Sequence, residues 1–115
     1  MTVIVAGTME FDPATVEEAI VSARELIAGA YTEQGCIHYA WTLDPLHPGR
    51  IYVFEEWASQ ADFAAHLATH WYTDMGAHIR AKGVKSASVK KYRVDLSEPV
   101  YDAQVRPRAD FFTAT

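Results

Sequence analysis

Residues 36–57 read CIHYAWTLDPLHPGRIYVFEEW, and the fold turns on this stretch. Ile37, Tyr39, Trp41 and Leu43 alternate with Cys36, His38, Ala40 and Thr42, the period of two that marks a strand. Asp44 to Gly49 then carries two prolines and a glycine, which cannot continue a ladder and so make a turn. Arg50 to Trp57 returns as a second strand, hairpin-paired with the first.

On the N-terminal side, Val16, Ala19, Ile20, Ala23, Ile27 and Ala30 recur at three- and four-residue spacings, with Glu17, Glu18, Arg24 and Glu25 off that stripe. This is one amphipathic helix, begun by Asp12-Pro13 and bracketed by Gly29 and Gly35. Ahead of it, Thr2 to Glu10 is rich in β-branched residues and apolar on both sides, as in a strand covered on both faces. After the hairpin, Ser59 is a helix N-cap with Asp62 three residues on. Phe63, Leu67, Trp71, Met75 and Ile79 then recur every four residues. A step of four drifts by about 40° in an ideal helix, so the pattern predicts two helices broken near Thr69-His70. Gly83 ends the second helix, and Ser86 to Leu96 reads as a last strand.

The order β-α-β-β-α-β predicts an α+β, ferredoxin-like plait: a four-stranded antiparallel sheet with helices on one face. Residues 1–96 form that domain, and 97–115, with two prolines and scattered Tyr101, Phe111 and Phe112, form an extended arm. Apolar residues on the uncovered sheet face predict a homodimer through facing sheets.

With 115 residues, 50% hydrophobic and 22% charged, the chain has room for one globular core. Its net charge is −5 and no block of Lys or Arg offsets it, so nucleic acid is not an expected partner. No apolar run reaches the length of a membrane span. The segment from Thr2 lacks the charged n-region and small-residue cleavage site of a signal peptide, so a secretion signal is not expected. The single cysteine, Cys36, fits a reducing, cytoplasmic setting.

Four segments occur in order: Gly35-Cys36-Ile37-His38-Tyr39, the Asp44-Pro45 to Pro48-Gly49-Arg50 turn, Tyr52-Val53-Phe54-Glu55-Glu56-Trp57, and Phe63-Ala64-Ala65-His66-Leu67. Together, over residues 2–94, the chain resembles the antibiotic biosynthesis monooxygenase (ABM) domain. The resemblance implies a dimeric α+β barrel with a pocket between helices and sheet in each subunit. For some members it implies oxygenation of quinols or polyketide phenols without metal or flavin. Other relatives degrade haem, isomerise small molecules or have no known activity. The haem-degrading branch uses an Asn on the first strand and a Trp and a His on the second helical segment. Here Thr2 to Glu10 contains no Asn, His66 takes the Trp position, and the His position falls near Gly76, which argues against haem degradation.

Oxygenation without a cofactor needs a base to deprotonate a phenol or quinol, and aromatic walls to hold ring and oxygen together. His66 is the candidate base, because His titrates near neutrality and lies in the helical His-Leu motif; its alternative role is a packed helix histidine. His38, beside the small Cys36 and Ala40, and Tyr72, just past the helix break, are candidates to orient the substrate. Trp41, Trp57 and Trp71 are candidate walls, and His70 a candidate substrate contact. His70 and His78 could equally be wetted flank residues. His66 and His70, four apart, could chelate a metal with Asp62 or Asp74, but lack a third ligand of defined spacing; no metal or other cofactor is expected. Glu55 and Glu56 point to opposite faces, so one is expected to be buried against a partner such as Arg50, Arg93 or Lys91. Cys36 is expected to be a small core residue.

The expected function is a cofactor-independent monooxygenase acting on a small phenolic or quinol substrate with molecular oxygen. The alternatives are an isomerase or lyase on the same scaffold, or a non-catalytic dimeric domain that binds a small aromatic molecule.

Overall fold

The structure, a computed structural model, describes residues 1–113; residues 114 and 115, the end of the predicted arm, lie outside the described part. The elements run β1 (Thr2–Glu10), α1 (Val16–Val21), α2 (Arg24–Tyr31), β2 (Cys36–Leu43), β3 (Arg50–Trp57), α3 (Gln60–Leu67), α4 (His70–Ala81) and β4 (Ser86–Val94). The sheet order is β2-β3-β1-β4 with every neighbouring pair antiparallel, as the plait requires.

Odd-numbered residues of β1 and β3 face the helices: Val3, Val5, Ile51, Val53 and Trp57 are buried in one core with Tyr39 and Trp41 of β2. Glu55 shares that face and is buried with them. The opposite face keeps Tyr52, Phe54 and Tyr92 between 40% and 49% exposed, and no element among the described residues covers it. A bulge between Cys36 and His38 breaks the alternation of β2. It pairs Cys36 with Trp57 and packs it on the core, so Cys36 does not share the face of His38 and Ala40.

The break between α3 and α4 falls where the four-residue drift predicts it. Ser59 Oγ caps the helix by accepting from Asp62 N at 3.0 Å, and its hydroxyl donates to the Asp62 carboxylate at 2.9 Å. The second bond replaces the one to the N-cap backbone N–H that a capping box would make. Gly83, at φ +83°, closes α4: its N–H donates to Arg80 O, and Val84 N–H to Ile79 O, the Schellman pattern.

The single helix predicted before the hairpin is two. Ala23 N–H donates to Ile20 O, one residue short of helical register. The Ala19 carbonyl it would have met accepts instead from His78 Nε2, at 2.9 Å. His78 Nε2 also lies 3.2 Å from Ser22 Oγ, which itself donates to Glu18 O. A side chain inserted into the ladder is a recognised cause of a kink. His78 therefore holds two helices together across α4 and α1 and is more than a flank residue.

The described part of the arm contains one isolated bridge, Tyr101 with Pro107, and no other regular structure. Its hydrogen bonds among the described residues are internal. Asp102 accepts from Gln104 N, Arg106 N and the Arg106 and Arg108 guanidiniums, and Glu98 from Phe112 N and Thr113 N. The radius of gyration, 16.2 Å, exceeds the roughly 13 Å of a compact chain this long.

Candidate functional site

α4 packs along α2, and between it and the sheet lies a cavity of about 670 Å3. That volume suits a molecule of several rings. Val5, Met9 and Val53 form its sheet wall, with Phe63, Met75 and Ile79 opposite. His66, Glu55, Tyr39, Trp41 and Tyr72 bring titratable and hydrogen-bonding groups to this largely apolar space, and Arg80, Lys90 and Lys91 also line it.

His66 is only 2% exposed. Its Nδ1 lies 2.8 Å from Glu33 Oε2, in the turn between α2 and β2, and Thr69 Oγ1 donates to the other Glu33 oxygen at 2.9 Å. A carboxylate can only accept, so the proton of a neutral imidazole sits on Nδ1 and Nε2 keeps its lone pair. Trp57 lies beneath the ring in a stacked arrangement, centroids 4.5 Å apart, while Tyr39 and Tyr72 present edges at 5.7 and 5.6 Å. The imidazole is therefore fixed in tautomer, plane and position.

Glu55 accepts from Trp57 Nε1 at 3.0 Å and has no salt-bridge partner among the described residues. None of the three cations expected as partners pairs with it: Arg50 donates instead to Glu10, at 2.6 Å, and neither Arg93 nor Lys91 forms a salt bridge among the described residues. Burial pushes the Glu55 pKa up, the Trp57 N–H and the nearby His66 oppose that, and Glu33 adds to it. Burial likewise raises the Tyr39 hydroxyl, with Glu55 reinforcing it. The Trp41 indole lies close enough to ease that shift, yet its Nε1–H is buried without an acceptor in hydrogen-bond geometry.

Of the residues singled out from the sequence, the structure brings His66, Tyr72 and Trp41 to one cavity. His38 sits on the opposite face of the sheet, exposed beside Phe54 with ring centroids 6.3 Å apart, because the pleat alternates it away from Tyr39. Trp57 is fully buried behind His66 and supports the ring from outside the cavity wall. Trp71 packs on Gly29 of α2, where even a methyl group would overlap its ring, and His70 lies against Trp71 with the rings tilted by 39° and centroids 4.1 Å apart. Neither lines the cavity. The space is thus not filled by the three Trp side chains. His66 and His70 lie on different helices, separated by the N-cap Thr69, so their i, i+4 spacing creates no shared face. No three His, Cys, Asp or Glu side chains converge in metal-binding fashion among the described residues.

Glu33 was not singled out from the sequence. It stands in an ordinary polar turn, and only its contact with His66, 33 residues away, gives it a role. Glu55 had a signal, since two adjacent glutamates in a strand point to opposite faces, and the helices cover one of them.

No helix of the described residues is long and apolar enough to cross a membrane. A protein of Deinococcus radiodurans, described as a candidate antibiotic biosynthesis monooxygenase, superposes with a TM-score of 0.77 at 19% identity. That match covers 87% of this chain and 99% of that one. Rv0793 of Mycobacterium tuberculosis gives 0.72 at 18% identity, over 85% of this chain and 98% of its own. At such identities the likeness establishes the fold alone. An uncharacterized protein of Synechocystis, sll1783, is 26% identical over 92 residues, 80% of this chain. The chain spans 63% of the length of that curated relative. The family model described as antibiotic biosynthesis monooxygenase matches residues 2–80, from β1 to the last turn of α4 and so across the hairpin and the Glu33–His66 pair, and the chain belongs to that family.

Proposed function

We propose that this protein is a cofactor-independent monooxygenase for a small phenolic or quinol substrate, with His66 as the base. The observation that carries this is a buried His66 in the wall of a largely apolar cavity, with Glu33 holding its Nδ1 from behind that wall. His66 Nε2 takes the proton of the substrate hydroxyl, and Glu33, holding Nδ1–H, stabilises the imidazolium that forms. The phenolate gives one electron to dioxygen, and the phenoxyl radical and superoxide combine to form the new C–O bond. The resulting hydroperoxide loses water, so phenol and dioxygen become quinone and water. Both electron pairs come from substrate. Tyr72 orients the hydroxyl from the cavity edge, and the apolar walls keep water from the anion.

Oxygen uptake by metal-stripped protein, presented with quinols and polycyclic phenols, tests this. A catalysed rate above autoxidation, lost in His66→Ala, is expected; unchanged uptake in that variant removes His66 from the role.

A second reading has one observation in its favour. Glu55, with its pKa raised, and His66 are an acid and a base on one cavity, which suits an isomerase that moves a proton within its substrate. It predicts deuterium exchange into substrate with no oxygen consumed.

We infer also that a second copy covers the open sheet face, meeting Phe54, Tyr52 and Tyr92. Sedimentation at micromolar concentration showing only a 12.8 kDa species would defeat this.

A further inference from the structure

The chain is acidic, yet the bases that line the cavity outnumber the acids. Lys91 belongs to the helix-facing row Tyr39–Glu55–Val5–Lys91, read across the sheet from β2 to β4. Arg80 reaches the cavity from the last turn of α4, its guanidinium lying against Gly76. Neither has a carboxylate within salt-bridge distance among the described residues. Glu55 is the single acid lining this cavity, and two strand spacings, about 10 Å, separate it from Lys91 in the sheet. At the other end, Trp41 on β2 holds a buried N–H with no acceptor. Trp41 and Tyr39, whose edge meets His66, belong to β2, whereas Lys91 belongs to β4 on the far side of the sheet. Lys91 and Arg80 are both exposed, so the cavity carries donor and base toward one sheet edge and unpaired cations at its open rim.

We propose that the cavity takes an anionic aromatic, whose reacting hydroxyl meets His66 and whose carboxylate, at the far end of the ring system, is held by Arg80 and Lys91. The proposal names the substrate class for the monooxygenase reading and rests on that reading's placement of the ligand. The Trp41 N–H donates to the ring oxygen, and so helps to set which end of the molecule reaches the base. Arg80 and Lys91 then act as specificity residues, selecting acids over neutral rings through charge-assisted hydrogen bonds.

Binding under anaerobic conditions separates this from turnover. The probes are 6-hydroxy-2-naphthoate and its neutral amide, which share ring and hydroxyl, titrated into full-length protein and followed by calorimetry. The acid should bind roughly ten-fold tighter at low salt, with the preference shrinking as salt rises. Arg80→Gln, at an exposed helix position, should cut the preference several-fold. Arg80→Gln with Lys91→Met should bring the ratio near one, with the amide's affinity within about two-fold of wild type. A ratio near one in the wild-type protein overturns the proposal. So does a ratio that survives the double substitution, which would leave Lys91 only guarding an edge strand against aggregation. Binding of neither probe also overturns it. The acid preference persisting while no phenol or quinol drives oxygen uptake would sink the monooxygenase reading alone.

Discussion

His66 Nδ1 and Glu33 Oε2 lie 2.8 Å apart, tying the third helix to the turn that opens the hairpin. The pair is nearly closed to solvent, with the two side chains 2% and 12% exposed. Exposed ion pairs contribute little, but a buried charge-assisted hydrogen bond is worth about 1.5–3 kcal/mol. Glu33→Gln keeps the size of the side chain and loses the obligate acceptor. The variant should lose about 1–2 kcal/mol of stability and at least roughly ten-fold in turnover, with the substrate's affinity little changed. Chemical denaturation alongside single-turnover kinetics checks both. Full activity in a folded Glu33→Gln protein would show that the carboxylate does not position the base.

Glu55 makes stability depend on pH in a definite direction. In the unfolded chain it ionises near its ordinary value of 4.5; burial holds it higher in the fold. Between those two values the folded protein keeps a proton that the unfolded chain has released, so stability falls as pH rises through that window. Glu55→Gln still accepts from Trp57 Nε1 and has nothing to titrate. Its advantage in melting temperature over the wild type should grow from pH 4.5 upward and be flat below. A difference independent of pH would mean that Glu55 is ionised in the fold as readily as in the unfolded chain.

Burial, with Glu33 and Glu55 adding to it, pushes the Cys36 thiol up to about 11. The thiolate is the reactive form, so Cys36 should react slowly with a disulfide reagent at pH 8 in the native protein and rapidly in denaturant. A fast native reaction would contradict the placement of Cys36 on the core side of the bulge.

Trp71 rests on Gly29, a glycine inside a helix where alanine would ordinarily be favoured by about 1 kcal/mol. Here the added methyl would overlap the indole. Gly29→Ala should therefore destabilise the protein, by about 1–3 kcal/mol. A variant as stable as wild type would mean that α2 and α4 shift apart freely.

Phe54 sits on the open face beside His38, 40% exposed. Phe54→Lys puts a charge where the second copy is inferred to pack, and should shift sedimentation toward the single-chain mass while the circular dichroism of the fold stays unchanged. An unchanged assembly would place the interface elsewhere, with the outward-facing Val100, Tyr101 and Phe111 of the arm as the next surface to test.

The bounds of β2 and β3 were legible to the residue, because alternation and turn chemistry are local properties. The break between α3 and α4 was equally legible, since a four-residue repeat cannot stay on one side of a straight helix. The kink after α1 was not: its cause, His78, stands 59 residues from the Ala19 carbonyl it takes. The bulge at Cys36 was hidden for a similar reason, since what it satisfies is the pairing of Cys36 with Trp57 on another strand.

The same division runs through the site. The sequence by itself determined the element order, the hairpin, the helix carrying His66 and the inward turn of one of two adjacent glutamates, all consequences of periods of two and 3.6. Tertiary structure decided which of the aromatic residues meet. It sent His38 to the far face, slid Trp57 beneath the imidazole instead of into the cavity, and set Trp71 on a glycine. It also chose the partner of His66, from a turn with no pattern of its own. Those outcomes depend on contacts between residues tens of positions apart, where neither strand nor helix periodicity carries information.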